Sequence, residues 1–144
     1  MPRWTIVATE RLLCDERGSV ITILLVDDQV RNLLALEAIL SRPSRDLVSV
    51  SSGPAAIANL REREIDLAVL DVMMPGMDGV ETAKVLRTIV PRLPIVFVTA
   101  LADDAAILRD IATLPSSRCL PKPLDTRLLE QLVKSVEDGV AWEA

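Results

Sequence analysis

The stretch VLDVMMPGMDG occupies residues 69–79, in the middle of the chain. It begins as an apolar, strand-like run and ends that run on a single carboxylate, Asp71. Pro75, Gly76 and Gly79 follow, and residues of these types mark a tight loop. A buried strand that ends on an acid and then turns at once places the acid at the edge of a sheet, so the carboxylate needs a chemical explanation.

Five apolar runs alternate with helical segments from residue 21 onward. The first, third and fourth runs are almost continuously apolar, which is typical of parallel strands buried on both faces. The predicted strands are ITILLVD (21–27), LVSVS (47–51), LAVLD (67–71), PIVFVTA (94–100) and RCLPK (118–122).

The segments after these runs carry apolar residues at helical spacing, and each predicts a helix. Pro54 suits the first turn of the second helix, Pro115 stops the fourth, and Asp125 suits the N-cap of the fifth. The apolar stripes are Leu33, Leu36 and Leu40; Ala56, Ile57 and Leu60; Val80, Ala83 and Leu86; Ile107 and Ile111; and Leu128, Leu132 and Val136.

Five successive β-α units predict an α/β fold, a doubly wound five-stranded parallel sheet with helices on both faces. This pattern covers residues 21–138. Residues 1–20 do not join it and form an N-terminal extension, while residues 139–144 form a C-terminal tail. The functional crevice of such a sheet lies at the carboxyl ends of its strands.

The composition excludes several kinds of chemistry. The 144 residues include no histidine, which excludes a Ser-His-Asp triad and a His-ligated zinc site. The formal net charge of −5 argues against direct binding of nucleic acid. No apolar run approaches the roughly 20 residues that span a bilayer, and residues 1–20 lack the features of a signal peptide. We therefore expect a cytoplasmic protein that does not bind membranes.

Polar side chains end four of the predicted strands. Asp27 and Asp28 end the first, Asp71 the third, Thr99 the fourth and Lys122 the fifth. Each alone has an ordinary explanation as a turn residue, a strand former or a solvated charge. Their coincidence at one edge favours a site, and neighbouring carboxylates repel unless a cation lies among them. Oxygen ligands alone suit Mg²⁺, which also lets a carboxylate attack phosphorus.

The stretches ILLVDD, LDVMMPGMDG, FVTA and LPKP occur in this order along the chain. Together they resemble the receiver domain of two-component response regulators over residues 21–138. The resemblance implies the flavodoxin-like (βα)5 receiver fold. It also implies a phosphoacceptor rather than an enzyme with a separate substrate, because a receiver catalyses only its own phosphorylation and slow dephosphorylation.

The resemblance implies a role for each acid at this edge. Asp71 would accept a phosphoryl group from a histidine kinase or a histidine phosphotransfer protein. Asp28 and Asp71 would bind Mg²⁺ directly, together with the backbone carbonyl of Met73, and Asp27 would help through water.

The resemblance also implies a switch at the same edge. Thr99 would move to hydrogen-bond the phosphoryl group, Lys122 would pair with it, and the Lys122–Pro123 peptide would be cis. Phosphorylation would change binding to a downstream output protein or domain. No output domain is expected in this chain, which would be a stand-alone regulator or a receiver from a hybrid kinase or larger regulator. Receivers often dimerise, so a homodimer is one expected oligomeric state.

Three positions bear on how this receiver-like chain would switch and how long a phosphoryl group would last. Cys119 stands where receivers usually carry Tyr or Phe, an aromatic side chain that swings inward when the threonine moves. Either this coupled movement is altered here, or the change to cysteine has no consequence. Met73 and Leu101 occupy positions that influence self-dephosphorylation in the family, and neither side chain can orient a water molecule by hydrogen bonding. We therefore expect slow autodephosphorylation.

Two other classes of function stay open at this stage. An adaptor that binds partners without phosphorylation is slightly favoured by Cys119 and opposed by the intact Asp71, Thr99 and Lys122. A small α/β enzyme is the other class. An aspartyl phosphatase would need a second acid where Met73 stands, and a flavin protein would need a phosphate-binding loop and aromatic stacking that the sequence lacks.

Overall fold

The computed structural model describes residues 20–100 and 104–142, and ten elements alternate within them. The strands are β1 (Ile21–Val26), β2 (Arg45–Val50), β3 (Leu67–Asp71), β4 (Ile95–Thr99) and β5 (Ser117–Pro121). The helices are α1 (Val30–Leu40), α2 (Gly53–Glu62), α3 (Gly79–Ile89), α4 (Ala105–Ala112) and α5 (Thr126–Glu137). The N-terminal extension, apart from residue 20, lies outside the described residues.

All five strands form one parallel sheet in the order β2-β1-β3-β4-β5. The predicted fold class is therefore confirmed. The chain adds β2 on one side of β1 and then β3, β4 and β5 on the other side. The strand order reverses between β1 and β3, and a parallel sheet places its ligand crevice at such a point.

The helices cover both faces of this sheet and bury two apolar layers. Helices α2, α3 and α4 pack on one face through side chains such as Leu60, Leu86 and Ile111. Helices α1 and α5 pack on the other face through side chains such as Leu36 and Leu129. Strands β3 and β4 are buried along their whole length, which explains why their sequences are continuously apolar. Within the described residues, no helix is both long and apolar enough to cross a membrane.

The predicted apolar stripe of the fifth helix is wrong in phase by one residue. Leu128 is 44% exposed, whereas Leu129 and Val133 are fully buried against the sheet. The predicted Leu132 and Val136 are only partly buried, at the margin of the contact. The helix carries two adjacent apolar stripes, and the position of the sheet decides which one faces inward. The predicted N-cap is confirmed, since the Asp125 carboxylate accepts hydrogen bonds from two backbone N–H groups of the first turn.

The loop from β3 to α3 holds the end of β3 against the start of the helix. Asp78 and Glu81 form a reciprocal capping box, which fixes the first residue of α3. The backbone N–H of Gly79 donates to the Val72 carbonyl at 2.9 Å. Gly76 has a φ of +74°, a conformation that glycine adopts without strain. The capping box, the Gly79 hydrogen bond and the left-handed conformation of Gly76 together produce the sharp turn after Asp71.

Candidate functional site

Three carboxylates converge at the carboxyl edge of the sheet. Asp27 follows β1 and Asp71 ends β3, and these strands are neighbours in the sheet. One carboxylate oxygen from each of Asp27, Asp28 and Asp71 lies within 4.8 Å of the others. Asp27 and Asp71 are both buried. Three like charges in so small a volume repel one another, so the arrangement requires positive charge nearby.

Lys122 supplies one positive charge at this edge. Its Nζ lies 3.3 Å from Asp71 Oδ1, and the same oxygen accepts a long hydrogen bond of 3.4 Å from the Met73 N–H. The Lys122 N–H donates to the Thr99 carbonyl at 2.9 Å, which fixes the backbone of the lysine beside β4. The Lys122–Pro123 peptide is cis, as the resemblance implied.

The electrostatic surroundings of Asp71 are dominated by burial. Burial raises the pKa of the Asp71 carboxyl above its ordinary value, and the nearby Asp27 carboxylate raises it further. The charge and hydrogen bond of Lys122 lower that pKa, as does the Met73 N–H, but the net direction is upward. The lysine alone therefore does not balance the negative charge that the three acids bring together.

The acidic cluster fits a hard divalent cation. Asp28 Oδ1 is buried and has no hydrogen-bond partner among the described residues. A buried carboxylate oxygen without a donor is costly, and a cation would satisfy it. The donor set consists of oxygen atoms alone, as Mg²⁺ prefers. Asp27 Oδ1 accepts the Gln29 N–H at 2.9 Å, which holds that carboxylate in place.

Two of the remaining predicted residues, Thr99 and Cys119, lie on strands β4 and β5. Thr99 is fully buried at the end of β4, beside the strand that carries Asp71. Cys119 is half-buried on β5 and packs against the apolar layer under α2, α3 and α4. Burial raises the pKa of the Cys119 thiol, which disfavours the reactive thiolate. Leu101 lies outside the described residues.

A cavity of about 230 Å³ opens beside the carboxylates, and it includes a residue that sequence reasoning missed. Asp27, Asp71 and Lys122 line one end, and the cavity continues between α1 and Leu124. Asn32, in the first turn of α1, also lines it. Asn32 precedes the buried Leu36 by four residues, so helical periodicity places both on one face. That spacing could have identified Asn32, since a polar residue interrupts an otherwise apolar face.

Comparison with known proteins gives the family. The family model for the response regulator receiver domain matches residues 23–134. The chain belongs to this family. The receiver domain is similar to transcriptional regulatory protein AfsQ1 of Streptomyces coelicolor, with 33% identity over 115 residues, which cover 80% of this chain and 50% of AfsQ1. It is also similar to sensor protein GacS of Pseudomonas syringae, with 34% identity over 116 residues, which cover 77% of this chain and 13% of GacS.

Solved structures agree with the family. The crystal structure of a response regulator receiver protein from Sinorhizobium medicae superimposes with a TM-score of 0.72 at 32% identity, over 84% of this chain and 97% of that protein. The receiver domain spans half or less of the length of AfsQ1 and GacS. Receiver domains of two-component response regulators bind Mg²⁺ at an acidic cluster, and Asp27, Asp28 and Asp71 form such a cluster here.

Proposed function

We propose that this receiver domain accepts a phosphoryl group on Asp71 in a Mg²⁺-dependent reaction and thereby changes its affinity for an output partner. One observation carries the proposal: the Lys122 ammonium lies 3.3 Å from the Asp71 carboxylate at an edge where Asp27 and Asp28 gather. A nucleophilic carboxylate, a cation for the phosphoryl oxygens and a candidate metal site thus occur together. The chain would act on itself only and would turn over no separate substrate.

The transfer is a displacement at phosphorus. A carboxylate oxygen of Asp71 attacks the phosphorus of a phosphohistidine, and an O–P bond forms as the N–P bond breaks. The electron pair of the N–P bond stays on the imidazole nitrogen. Lys122 pairs with one phosphoryl oxygen, and the Thr99 hydroxyl donates to another after the transfer.

The metal ion would be held by residues at the ends of β1 and β3, the two strands between which the sheet order reverses. Asp28, Asp71 and the Met73 backbone carbonyl would bind it directly, and Asp27 would bind it through water. When bound, Mg²⁺ neutralises charge on the phosphoryl oxygens and so lowers the repulsion that an attacking carboxylate meets. The unpartnered Asp28 Oδ1 is the observation in this chain that supports such a site.

The phosphoryl donor would be a histidine kinase or a histidine phosphotransfer protein. Exposed apolar side chains beside the acidic edge support protein docking there, namely Val30 and Leu34 on α1 and Met73 after β3. The similar proteins include a transcriptional regulatory protein and a sensor protein, so this receiver domain could belong to either kind of protein. A cytoplasmic location belongs to the same proposal, because the kinases that supply such phosphoryl groups draw them from cytoplasmic ATP.

The proposal includes slow loss of the phosphoryl group. The Met73 side chain is 55% exposed at the mouth of the site, and a thioether cannot orient a hydrolytic water as an amide or a carboxylate can. Leu101, the other position implicated by the family, is apolar as well. The half-life of the phosphorylated chain should be minutes or longer, and a half-life of seconds would contradict this part of the proposal.

The experiment is incubation with Mg²⁺ and acetyl phosphate, followed by intact mass measurement. We expect the mass of one phosphoryl group in the native sequence and no gain in Asp71→Asn or after chelation of the metal. Asp46→Asn is the matched control, because Asp46 is an exposed acid on β2 away from the site. A sample with an autophosphorylated histidine kinase serves as a second donor.

Two results would overturn the proposal. An equal mass gain in Asp71→Asn would place the phosphoryl group elsewhere. No gain from either donor, with a folded protein and a reference receiver that is phosphorylated, would favour an adaptor that binds partners without phosphorylation. Partner binding that is unchanged in Asp71→Asn would then support the adaptor directly.

A further inference from the structure

Residues 138–142, which follow α5, turn back onto the domain. We name residues 138–142 the C-terminal segment. Gly139 has a φ of +76°, its N–H donates to the Val136 carbonyl at 3.0 Å, and the Val140 N–H donates to the Ser135 carbonyl at 2.9 Å. This pair of bonds with a left-handed glycine is the Schellman termination of a helix, which reverses the chain direction.

Trp142 is bound in a pocket built from α5 and β5. Its ring is part of the apolar layer under α1 and α5, and the residue is only 7% exposed. The indole Nε1 donates to Ser135 Oγ at 2.9 Å, and the Ser116 hydroxyl donates to the Trp142 carbonyl at 2.7 Å. The Arg118 guanidinium lies 5.1 Å from the ring centroid, within the range of a cation–π contact.

The partners of Trp142 show that this contact is specific. A buried indole N–H and a buried carbonyl each need a hydrogen-bond partner, and Ser135 and Ser116 supply them for Trp142. Ser116 is buried and has a φ of +57°, a conformation that is uncommon for a residue other than glycine. The structure thus maintains an unfavourable backbone conformation at the residue that binds the Trp142 carbonyl.

Strand β5 joins this contact to the phosphorylation site. Arg118, in β5, stacks on Trp142, and Lys122, which directly follows β5, contacts Asp71; the two residues are four positions apart, or about 13 Å along an extended chain. Strand β5 is the last in the sheet order and pairs only with β4. Because β5 has no second neighbouring strand among the described residues, it is the part of the sheet through which a change at Lys122 would reach Arg118.

We propose that the C-terminal segment is a switch element whose attachment through Trp142 is weakened by phosphorylation of Asp71. The inference rests on the proposed function. A phosphoryl group on Asp71 brings new anionic oxygens within reach of Lys122, and the ammonium moves from the carboxylate to them. The resulting shift of β5 displaces Arg118 from the indole ring. Release of Trp142 uncovers apolar side chains of β5 and α5, which a partner can distinguish from the covered surface.

Fluorescence of Trp142 tests the inference directly. The chain has two tryptophans, and Trp4→Phe leaves Trp142 as the only indole. We would record emission and acrylamide quenching before and after incubation with Mg²⁺ and acetyl phosphate, and measure phosphorylation by intact mass in the same sample. We expect stronger quenching and emission at longer wavelength in the phosphorylated protein, and no change in Trp4→Phe with Asp71→Asn.

Thermodynamic linkage provides the reciprocal test. If phosphorylation weakens the Trp142 contact, then weakening the contact must favour the phosphoryl-bound state. Arg118→Met removes the cation from the ring, and Arg127→Met, at an exposed arginine of α5, is the matched control. With Mg²⁺ present, we expect Arg118→Met to bind beryllium fluoride, a phosphoryl analogue, about five-fold more tightly than the control, the lower end of typical coupling. Binding can be measured by ¹⁹F NMR.

The outcomes separate the inference from the proposed function. Phosphorylated protein with unchanged Trp142 quenching would overturn the inference and leave the phosphoacceptor function intact. Equal affinities of Arg118→Met and Arg127→Met for beryllium fluoride would do the same. Absence of any phosphoryl gain from acetyl phosphate and from a kinase would overturn the proposed function and, with it, this inference.

Discussion

Gly79 is the residue at which the start of α3 touches the end of β3. A Cβ at this position would overlap the Asp71 carbonyl oxygen and would lie 2.8 Å from the Val72 Cα. Both atoms belong to the backbone of the segment that carries the candidate phosphoacceptor, so neither can move freely. The glycine therefore serves the close approach of two chain segments, whereas Gly76 in the same loop serves a left-handed turn.

The contrast between these two glycines gives the first prediction. Gly79→Ala should lower the free energy of unfolding by about 3 kcal/mol, as expected for overpacking against atoms that cannot relax. Gly76→Ala should cost only about 1 kcal/mol, since its left-handed φ strains alanine but no atom lies within 4 Å of the added Cβ. Urea unfolding of both variants measures this difference, and equal costs would contradict the assignment of the Gly79 contact.

The second prediction concerns Asp28. Asp28→Asn keeps the shape of the side chain and removes one of three clustered charges, so Mg²⁺ affinity should fall about ten-fold. Stability without metal should not fall, because the substitution also removes repulsion among the carboxylates. Calorimetric titration with Mg²⁺ and urea unfolding in chelator measure the two effects. Asp46→Asn is the control, and equal Mg²⁺ affinities of the two variants would remove Asp28 from the site.

Helix α5 shows what an element alone leaves undecided. Its sequence offers Leu128, Leu132 and Val136 as one apolar stripe, and Leu129 and Val133 as another. The two stripes are about 100° apart around a helix, so periodicity cannot select between them. The sheet contacts the second stripe, since Leu129 and Val133 lie in the same apolar layer as side chains of β1 and β3.

Adjacent leucines of this helix give the third prediction. Leu129→Ala should lower the free energy of unfolding by about 3 kcal/mol, since it deletes a fully buried side chain and leaves a cavity. Leu128→Ala makes the same chemical change at a residue that is 44% exposed and should cost less than about 0.5 kcal/mol. Thermal or urea unfolding compares the two variants. A larger loss of stability in Leu128→Ala than in Leu129→Ala would support the stripe predicted from sequence.

Arg45 links three elements at the edge opposite the acidic site. Its side chain is 2% exposed, starts from β2 and donates to the Leu40 carbonyl at the end of α1. It also pairs with Glu130 and Glu137 on α5. The pKa of Glu130 lies below its ordinary value, chiefly because Arg45 donates a hydrogen bond to it. Burial raises the pKa of Glu137, but hydrogen bonds from Arg45 and Ser44, together with the charges of Arg45 and Lys134, outweigh burial and leave it lowered.

These lowered pKa values give the fourth prediction, a pH dependence of stability. The unfolded chain binds protons on Glu130 and Glu137 at higher pH than the folded chain does, so folding is stabilised above their ordinary pKa of 4.5. That contribution disappears as pH falls through the lower folded-state values. Arg45→Met should cost about 3 kcal/mol at pH 7, the lower end for a broken buried pair.

The pH profile distinguishes the ion pairs from the packing of Arg45. The difference in unfolding free energy between the native sequence and Arg45→Met should shrink as pH falls below about 4.5, because protonated glutamates need no cationic partner. Urea unfolding at a series of pH values measures it. A difference that is constant from pH 7 to pH 3 would mean that Arg45 stabilises through packing alone.

Sequence pattern alone predicted the alternation of strands and helices, the parallel sheet, and the acids, hydroxyl and ammonium at the strand ends. These features depend on residue periodicity and on turn chemistry, which act over a few neighbouring residues. The capping residue Asp125 and the loop of Pro75, Gly76 and Gly79 were predictable for the same reason.

The packing of distant segments against one another selected which face of α5 is buried, where Asn32 points and what pairs with Arg45. It also decided that Trp142, assigned from sequence to a tail, packs into the domain between α5 and β5. Each of these depends on contacts between residues distant in the chain, and the free energy of such contacts is set by the sheet order and by the space left between packed elements. Local pattern carries no information about that space.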